Sequence, residues 1–139
     1  MSTDPSAADA EQTCWCGSAF PASQCCAPIL RGAEAPSAEA LMRSRYSAFV
    51  TGNAEYLLRT WHESTRPDAA ALMLDDGMTW RRLQIVDTTR GGPGDDAGVV
   101  EFRASYRDAD GVAGLLHERS RFVRVDGEWR YVDGDILAG

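Results

Sequence analysis

The feature that most constrains this chain is that all of its cysteines lie between positions 14 and 26. They occur in the pattern C-x-C-x8-C-C, as Cys14, Cys16, Cys25 and Cys26. Free cysteines of a hydrophobic core are expected to be scattered along a sequence. This clustering therefore indicates a single local site that holds residues 14–33 together.

The spacing favours a metal site over disulfides. A loop closed by Cys14 and Cys16 would be strained, and adjacent cysteines rarely bridge each other. Gly17 and Ser18 suit a tight turn after the first pair, and a short helix ended by Pro28 is expected to carry the second pair. Four thiolates saturate a tetrahedral zinc ion, so the sequence predicts structural zinc. Disulfides between the two ends, or reactive thiols, remain the alternatives.

Charge and the N-terminal segment exclude several classes of protein. A net charge of −7 argues against non-specific binding of nucleic acid, which needs a basic face. Residues 1–13 are acidic and are predicted to form a disordered tail, without the basic start and apolar run of a signal peptide. No segment approaches the ~18 apolar residues of a membrane span. We therefore expect a cytoplasmic protein, whose reducing surroundings favour metal over disulfides.

Helical periodicity follows the cysteine stretch. Ser37 is a plausible N-cap of a first helix, Gly52 ends it, and Asn53 caps the next. The predicted helices are residues 38–51, 54–62 and 67–74.

After residue 78 the apolar residues alternate, which indicates strands. The predicted strands are residues 79–89, 98–107, 114–125 and 129–132, with a tight hairpin turn at Asp126-Gly127. On the third strand, Glu118, Ser120 and Phe122 share one face, and His117, Arg119 and Arg121 share the other. Helices followed by an antiparallel meander predict an α+β fold with the helices on one face of the sheet.

The cysteine stretch resembles a known zinc module. C-x-C-G-S, six further residues and C-C is similar to the SEC-C motif, named after the C-terminal tail of the SecA translocation ATPase. That tail usually has histidine where this chain has Cys26, and a basic run where this chain has Ala19-Phe20-Pro21. The resemblance implies that Cys14, Cys16, Cys25 and Cys26 bind zinc.

Motifs in the rest of the chain resemble the YchJ-like family of bacterial proteins. They are residues 41–49, Tyr56-Leu57, Thr60-Trp61-His62, residues 118–122, and Trp129 with residues 131–134. The resemblance implies a nuclear transport factor 2-like cone, in which about three helices pack on a curved antiparallel sheet. The expected organisation is a tail at 1–13, a SEC-C-like zinc module at 14–33 and the cone at 34–139.

Five residues are candidates for lining the interior of such a cone: Arg45, Tyr46, Trp61, His62 and Glu118. A buried arginine needs a partner, so we expect an ion pair between Arg45 and Glu118. An enzymatic interpretation makes His62 a general base oriented by Glu118 or Asp133. The structural interpretation makes Trp61 a core residue, His62 a helix cap and Glu118 an ion-pair partner. No residue is assigned a catalytic role.

The function predicted from these features is that of a zinc-binding protein that is not an enzyme. It would hold a small apolar ligand in the cone or dock a protein partner. Because SEC-C modules resemble docking elements, the expected partners are chaperone, export or ribosome-associated proteins. The alternatives are a small hydrolase or isomerase with a His/carboxylate pair in the cone, and a redox or metal sensor that acts through its thiols.

Overall fold

The structure, a computed structural model, describes residues 13–18, 20–68, 72 and 78–137. In this part of the chain, three helices precede four strands. The helices are α1 (Cys26–Leu30), α2 (Ala38–Thr51) and α3 (Ala54–Arg59), and a 3-10 turn at Ala22–Gln24 leads into α1. The strands are β1 (Thr79–Arg90), β2 (Ala97–Arg107), β3 (Ala113–Val125) and β4 (Glu128–Ile136).

The four strands form one antiparallel sheet in the order β1-β2-β3-β4. Phe102 on β2 pairs with Glu118 on β3, whereas Glu101 pairs with Arg119 on the opposite face. Irregular pairing in β1 and again after Arg121 bends the sheet. The predicted α+β fold and the predicted division of β3 into two faces are confirmed.

Hydrogen bonds at the helix ends match the predicted caps. The Ser37 hydroxyl accepts from the backbone N–H of Ala40 at 3.1 Å, and the Asn53 carboxamide accepts from that of Tyr56 at 3.1 Å. Gly52 ends α2 in the left-handed conformation, with φ of 72°. At each of these two helix starts, one N–H without an intrahelical partner therefore has a side-chain acceptor.

Other predicted boundaries change. The helix α3 ends at Arg59 and not near His62, because the chain turns there to meet β4, where Tyr131 donates its backbone N–H to the Thr60 carbonyl at 2.9 Å. Strand β4 runs on to Ile136, since it keeps pairing with β3 as far as Glu118. Of the predicted helix at 67–74, residues 69–71 and 73–74 lie outside the described residues.

Close approach of two glycines positions α2 on the sheet. The backbone N–H of Ala38 donates to the Gly91 carbonyl at 2.9 Å. A Cβ atom on Gly98 would lie 2.5 Å from the Gly91 Cα, so no larger residue fits there without moving backbone. The first turn of α2 is thereby fixed against the loop that joins β1 and β2.

One continuous core joins the cysteine stretch to the helices and the sheet. Cys14, Cys16 and Cys26 are buried in it together with Leu41 and Leu57. The predicted division into a zinc module at 14–33 and a cone at 34–139 stays a prediction. In the fold, the two segments share their packing.

Charged residues cover the outer face of the sheet. Arg119 contacts Glu101 at 2.8 Å, and Arg121 contacts Asp133 at 2.6 Å and Asp135 at 2.8 Å. Because water screens these exposed pairs, they contribute little to stability. Among the described residues, no helix has the length and apolar character needed to cross a membrane.

Candidate functional site

The two cysteine pairs approach each other on a pair of local turns. The backbone N–H of Gly17 donates to the Cys14 carbonyl at 3.0 Å, and the positive φ of Gly17, 77°, completes this turn. The other pair stands at the start of α1, where Cys25 is the N-cap and Cys26 the first helical residue. Pro28 does not end α1 but lies in its first turn, where the missing N–H has no intrahelical partner to lose.

The sulfur geometry fits a tetrahedral metal ion. The Sγ atoms of Cys14, Cys16, Cys25 and Cys26 all lie within 4.8 Å of one another. Zinc bound to four thiolates at ~2.3 Å holds neighbouring sulfurs ~3.8 Å apart. The Cys16–Cys25 and Cys25–Cys26 Sγ separations are 3.6 and 3.9 Å. These distances are much longer than a disulfide bond of ~2.05 Å, and all four cysteines are free.

Polar groups from the surrounding structure reach the sulfurs. The Ser18 hydroxyl donates to Cys25 Sγ at 3.2 Å. From α2, Arg43 Nη1 donates to the Cys16 carbonyl at 3.3 Å and lies 3.8 Å from its Sγ atom. Ser47 Oγ lies 3.8 Å from Cys14 Sγ. Such contacts orient thiolate ligands and offset their negative charge.

The thiols influence one another strongly. Hydrogen bonds with Cys16 and Cys26 lower the pKa of Cys14, whereas burial raises the pKa of Cys25. Like charges this close cannot all be present without a cation. A bound metal ion would supply that cation and displace the thiol protons.

A second feature, an aromatic cavity, lies between α2 and the inner face of the sheet. Its volume is about 220 Å³. The lining residues are Met42, Arg45, Tyr46, Phe49, Trp61, Trp80, Phe102, Ala104, Leu116, Glu118, Ser120 and Tyr131. Trp80 is central to the aromatic wall, with ring centroids 6.2 Å from Tyr46 and 6.0 Å from Phe49. Helical periodicity puts Met42, Arg45 and Phe49 on this side of α2.

Arg45 is buried in the cavity wall, only 3% exposed. Its Nη1 donates to the Leu57 carbonyl at 2.9 Å and to Thr60 Oγ1 at 2.7 Å. The guanidinium carbon lies 4.9 Å from the Trp61 ring centroid and 4.6 Å from that of Tyr131. Burial lowers the pKa of Arg45 to about 10, so the group is still charged near neutral pH. Two aromatic faces and two neutral acceptors thus hold this cation.

Glu118 lies on the sheet side of the same cavity. Its Oε2 accepts from the Ser120 hydroxyl at 2.5 Å and from the Tyr131 hydroxyl at 3.2 Å. Burial and the neighbouring Glu118 raise the pKa of Tyr131, which keeps that phenol a donor. The expected direct ion pair with Arg45 is not formed: none of the ion pairs among the described residues joins these two groups. Instead, Tyr131 contacts both groups. The Arg45 guanidinium lies over its ring, and its hydroxyl donates a hydrogen bond to the Glu118 carboxylate.

The structure separates the other predicted cavity residues into two groups. Tyr46 and Trp61 line the cavity with Arg45 and Glu118. His62 does not: it lies in a separate surface hollow with Glu63, where its Nδ1 is 2.7 Å from Ser64 Oγ. None of the hydrogen bonds seen among the described residues joins the His62 ring to Glu118 or to Asp133, the two carboxylates expected to orient it.

Sequence reasoning missed several residues that shape the cavity. Trp80 and Phe102 stand on strands where alternation could have put them on the inner face, so a signal was present. No such signal marked Thr60. Its role depends on α3 ending at Arg59, which makes Thr60 the C-cap residue, and its hydroxyl there accepts a hydrogen bond from Arg45.

Fold and site together define a small α+β protein in which a four-cysteine module packs against an aromatic-lined cone. Comparison with known proteins agrees with this class. The family model described as YchJ, middle NTF2-like domain, matches residues 37–134. The chain therefore belongs to the YchJ-like family.

Relatives cover nearly the whole chain. A UPF0225 protein of Streptomyces coelicolor is 56% identical over 125 residues, which are 89% of this chain and 95% of that protein. A UPF0225 protein of Corynebacterium glutamicum is 45% identical over 124 residues, 88% of this chain and 96% of that protein. The solution structure of RPA3114, a SEC-C motif containing protein from Rhodopseudomonas palustris, matches with a TM-score of 0.77 and 30% identity. That match covers 91% of this chain and all of the other.

The metal site can be tested by replacing one ligand. We expect purified protein to contain one metal ion per chain, and Cys26→Ser to lose it, because three thiolates and a buried hydroxyl bind a soft ion less well. The midpoint of thermal unfolding should fall by more than about 10 °C. Elemental analysis and calorimetry measure both. The control Gln24→Ser, at an exposed position in the same turn, should keep metal and stability; metal-free wild-type protein with two disulfides would contradict the assignment.

Proposed function

We propose that this protein is a zinc-stabilised, non-enzymatic binding protein of the cytoplasm, and that its cone holds a small, mainly apolar molecule. The observation that carries the proposal is the cavity itself: a space between α2 and the sheet, lined largely by aromatic and aliphatic side chains with a few polar groups. Ligand sites typically combine these two properties, because apolar walls supply affinity and a few polar groups fix orientation.

Zinc is the ion that this cysteine set suits best. Tetrahedral sites made only of sulfur select zinc or iron among the common metals, and zinc has no geometric preference that four thiolates at these distances would violate. Cys14, Cys16, Cys25 and Cys26 would hold it and fill its coordination shell. When bound, the ion supplies cross-linking of residues 14–33 and no open position for a reacting molecule.

The cavity supports binding better than catalysis. None of the described residues that line it is a histidine or a cysteine, and His62 lies in another hollow. The Glu118 carboxylate already accepts hydrogen bonds from the Ser120 and Tyr131 hydroxyl groups on Oε2. Arg45 can orient a ligand but has too high a pKa to exchange a proton near neutral pH.

Filling the cavity tests this proposal. Toluene should bind the wild-type protein and shift the indole signals of Trp61 and Trp80 in NMR spectra, while Trp15, on the cysteine module, stays unchanged. Ala104→Leu should abolish these shifts, since Ala104 is 1% exposed and lines the cavity. Unfolding in urea should show that this variant is folded.

The matched control is Ala97→Leu, at an exposed position on the same strand. It should bind toluene like the wild type. Absence of indole shifts with both toluene and benzamide in the wild-type protein, or equal toluene binding by Ala104→Leu, would refute the proposed cavity function.

A second candidate function is docking of a chaperone, export or ribosome-associated protein on the cysteine module. Two large apolar side chains on this module favour it, since Phe20 is 62% exposed and Trp15 42% exposed. Phe20 also borders a hollow that includes Cys25 and Ile29. Uncovered aromatic groups beside a rigid site are typical anchors of protein interfaces.

Site-specific crosslinking distinguishes docking from chance exposure. A photo-crosslinking residue in place of Phe20 should yield a discrete adduct with one protein in cells. The same residue in place of Val112, which is 60% exposed on the far β2–β3 turn, should not. Identical adducts from both positions, or none from position 20, would rule out this surface.

A further inference from the structure

The polar groups of the cavity are incompletely paired, and this shows what kind of ligand it can take. Arg45 has five N–H donors, yet only Nη1 takes part in the hydrogen bonds seen among the described residues. Glu118 accepts two hydroxyl groups on Oε2, and none of those bonds reaches Oε1. The cavity therefore offers unused donors on one side and an unused acceptor on the other.

The charge of the cavity restricts the ligand further. Among the described residues, Arg45 and Glu118 are the only charged ones that line the cavity, and their charges are opposite. An anion would be attracted by Arg45 but repelled by Glu118, and a cation would be attracted by Glu118 but repelled by Arg45. Either would bring an unmatched charge into a largely apolar space, which is costly. A neutral molecule avoids that cost.

The size and walls of the cavity define the rest of the molecule. Its 220 Å³ is below the ~300–1,000 Å³ of sites for drug-sized ligands, and suits a single ring. The wall around Trp80 is made of rings in edge-to-face and tilted contacts, a surface to which another planar ring adds favourably. The Arg45 guanidinium already lies over Trp61 and Tyr131, so its edge is the part left for a ligand.

Resting on the proposed cavity function, we infer that the ligand class is a neutral, single-ring aromatic molecule that carries both a hydrogen-bond acceptor and a donor, as a carboxamide does. The ligand's acceptor receives a hydrogen bond from an N–H of Arg45, and its donor gives a hydrogen bond to Oε1 of Glu118. Arg45 and Glu118 then both have a further hydrogen-bond partner without a change in net charge.

A set of four probes of similar size tests this class: benzamide, benzoate, benzylammonium and toluene. In NMR titrations read at the Trp61 and Trp80 indoles, benzamide should bind the wild-type protein about tenfold tighter than each of the other three, because only benzamide pairs both polar groups without adding charge. Binding of toluene as tight as that of benzamide, or tighter binding of either ion, would overturn the ligand class while leaving the cavity function intact. Failure of all four probes to bind would refute both.

Two variants test the role of Glu118. Glu118→Gln keeps the shape of the side chain but leaves Arg45 as the only charge, so benzoate should bind more tightly than benzamide. Gly134→Ala moves the carboxylate without changing any charge, because the new Cβ would collide with Glu118 Oε2. This variant should bind benzamide more weakly than the wild type does and should bind benzoate with unchanged affinity.

Asp87→Asn is the control for the change in charge, since Asp87 is exposed on β1 and does not line the cavity. This control should bind the four probes in the same order of affinity as the wild-type protein. The same reversal in Asp87→Asn as in Glu118→Gln would show that net charge and not the cavity carboxylate decides binding, and would overturn the inference.

Discussion

The contact between helix α2 and the cysteine cluster is the interaction on which the rest of the structure depends. On one side of α2, Arg43 and Ser47 reach the sulfurs and backbone of the cluster. On the opposite side, Arg45 and Phe49 face the cavity. A five-residue helix such as α1 is too short to be stable alone, so the cluster must supply the order that places it against α2.

This arrangement explains how the cavity stays open. Protein interiors normally close to crystal-like density, and an apolar space of this size persists only between rigid walls. The sheet is one wall. The other is α2, held at its start by Gly91 and Gly98 and along its outer side by the cysteine stretch. Arg45 adds to the effect, because its hydrogen bonds to Leu57 and Thr60 fix the angle between α2 and the turn after α3.

Local rules predicted the parts of this protein that are set by neighbours in sequence. The spacing of the cysteines indicated one cluster, the caps at Ser37 and Asn53 set two helix starts, and alternation assigned Glu118 to the inner face. The partners of Arg45 could not be predicted in the same way. The rule that a buried cation needs a charged partner predicts a carboxylate, whereas the fold supplies a carbonyl, a hydroxyl and two rings. His62 was misleading because its position depends on where α3 ends, which tertiary packing decides.

Hydrogen exchange of the α2 amides, measured with metal bound and again after chelation under reducing conditions, tests most directly whether the cysteine cluster holds the wall of the cavity. If it does, chelation should lower the protection of residues 38–51 at least about tenfold, since metal binding is then part of their folding free energy. The amides at the β2–β3 pairing serve as the internal reference for global unfolding. Unchanged protection of α2, with faster exchange confined to residues 14–33, would contradict the account.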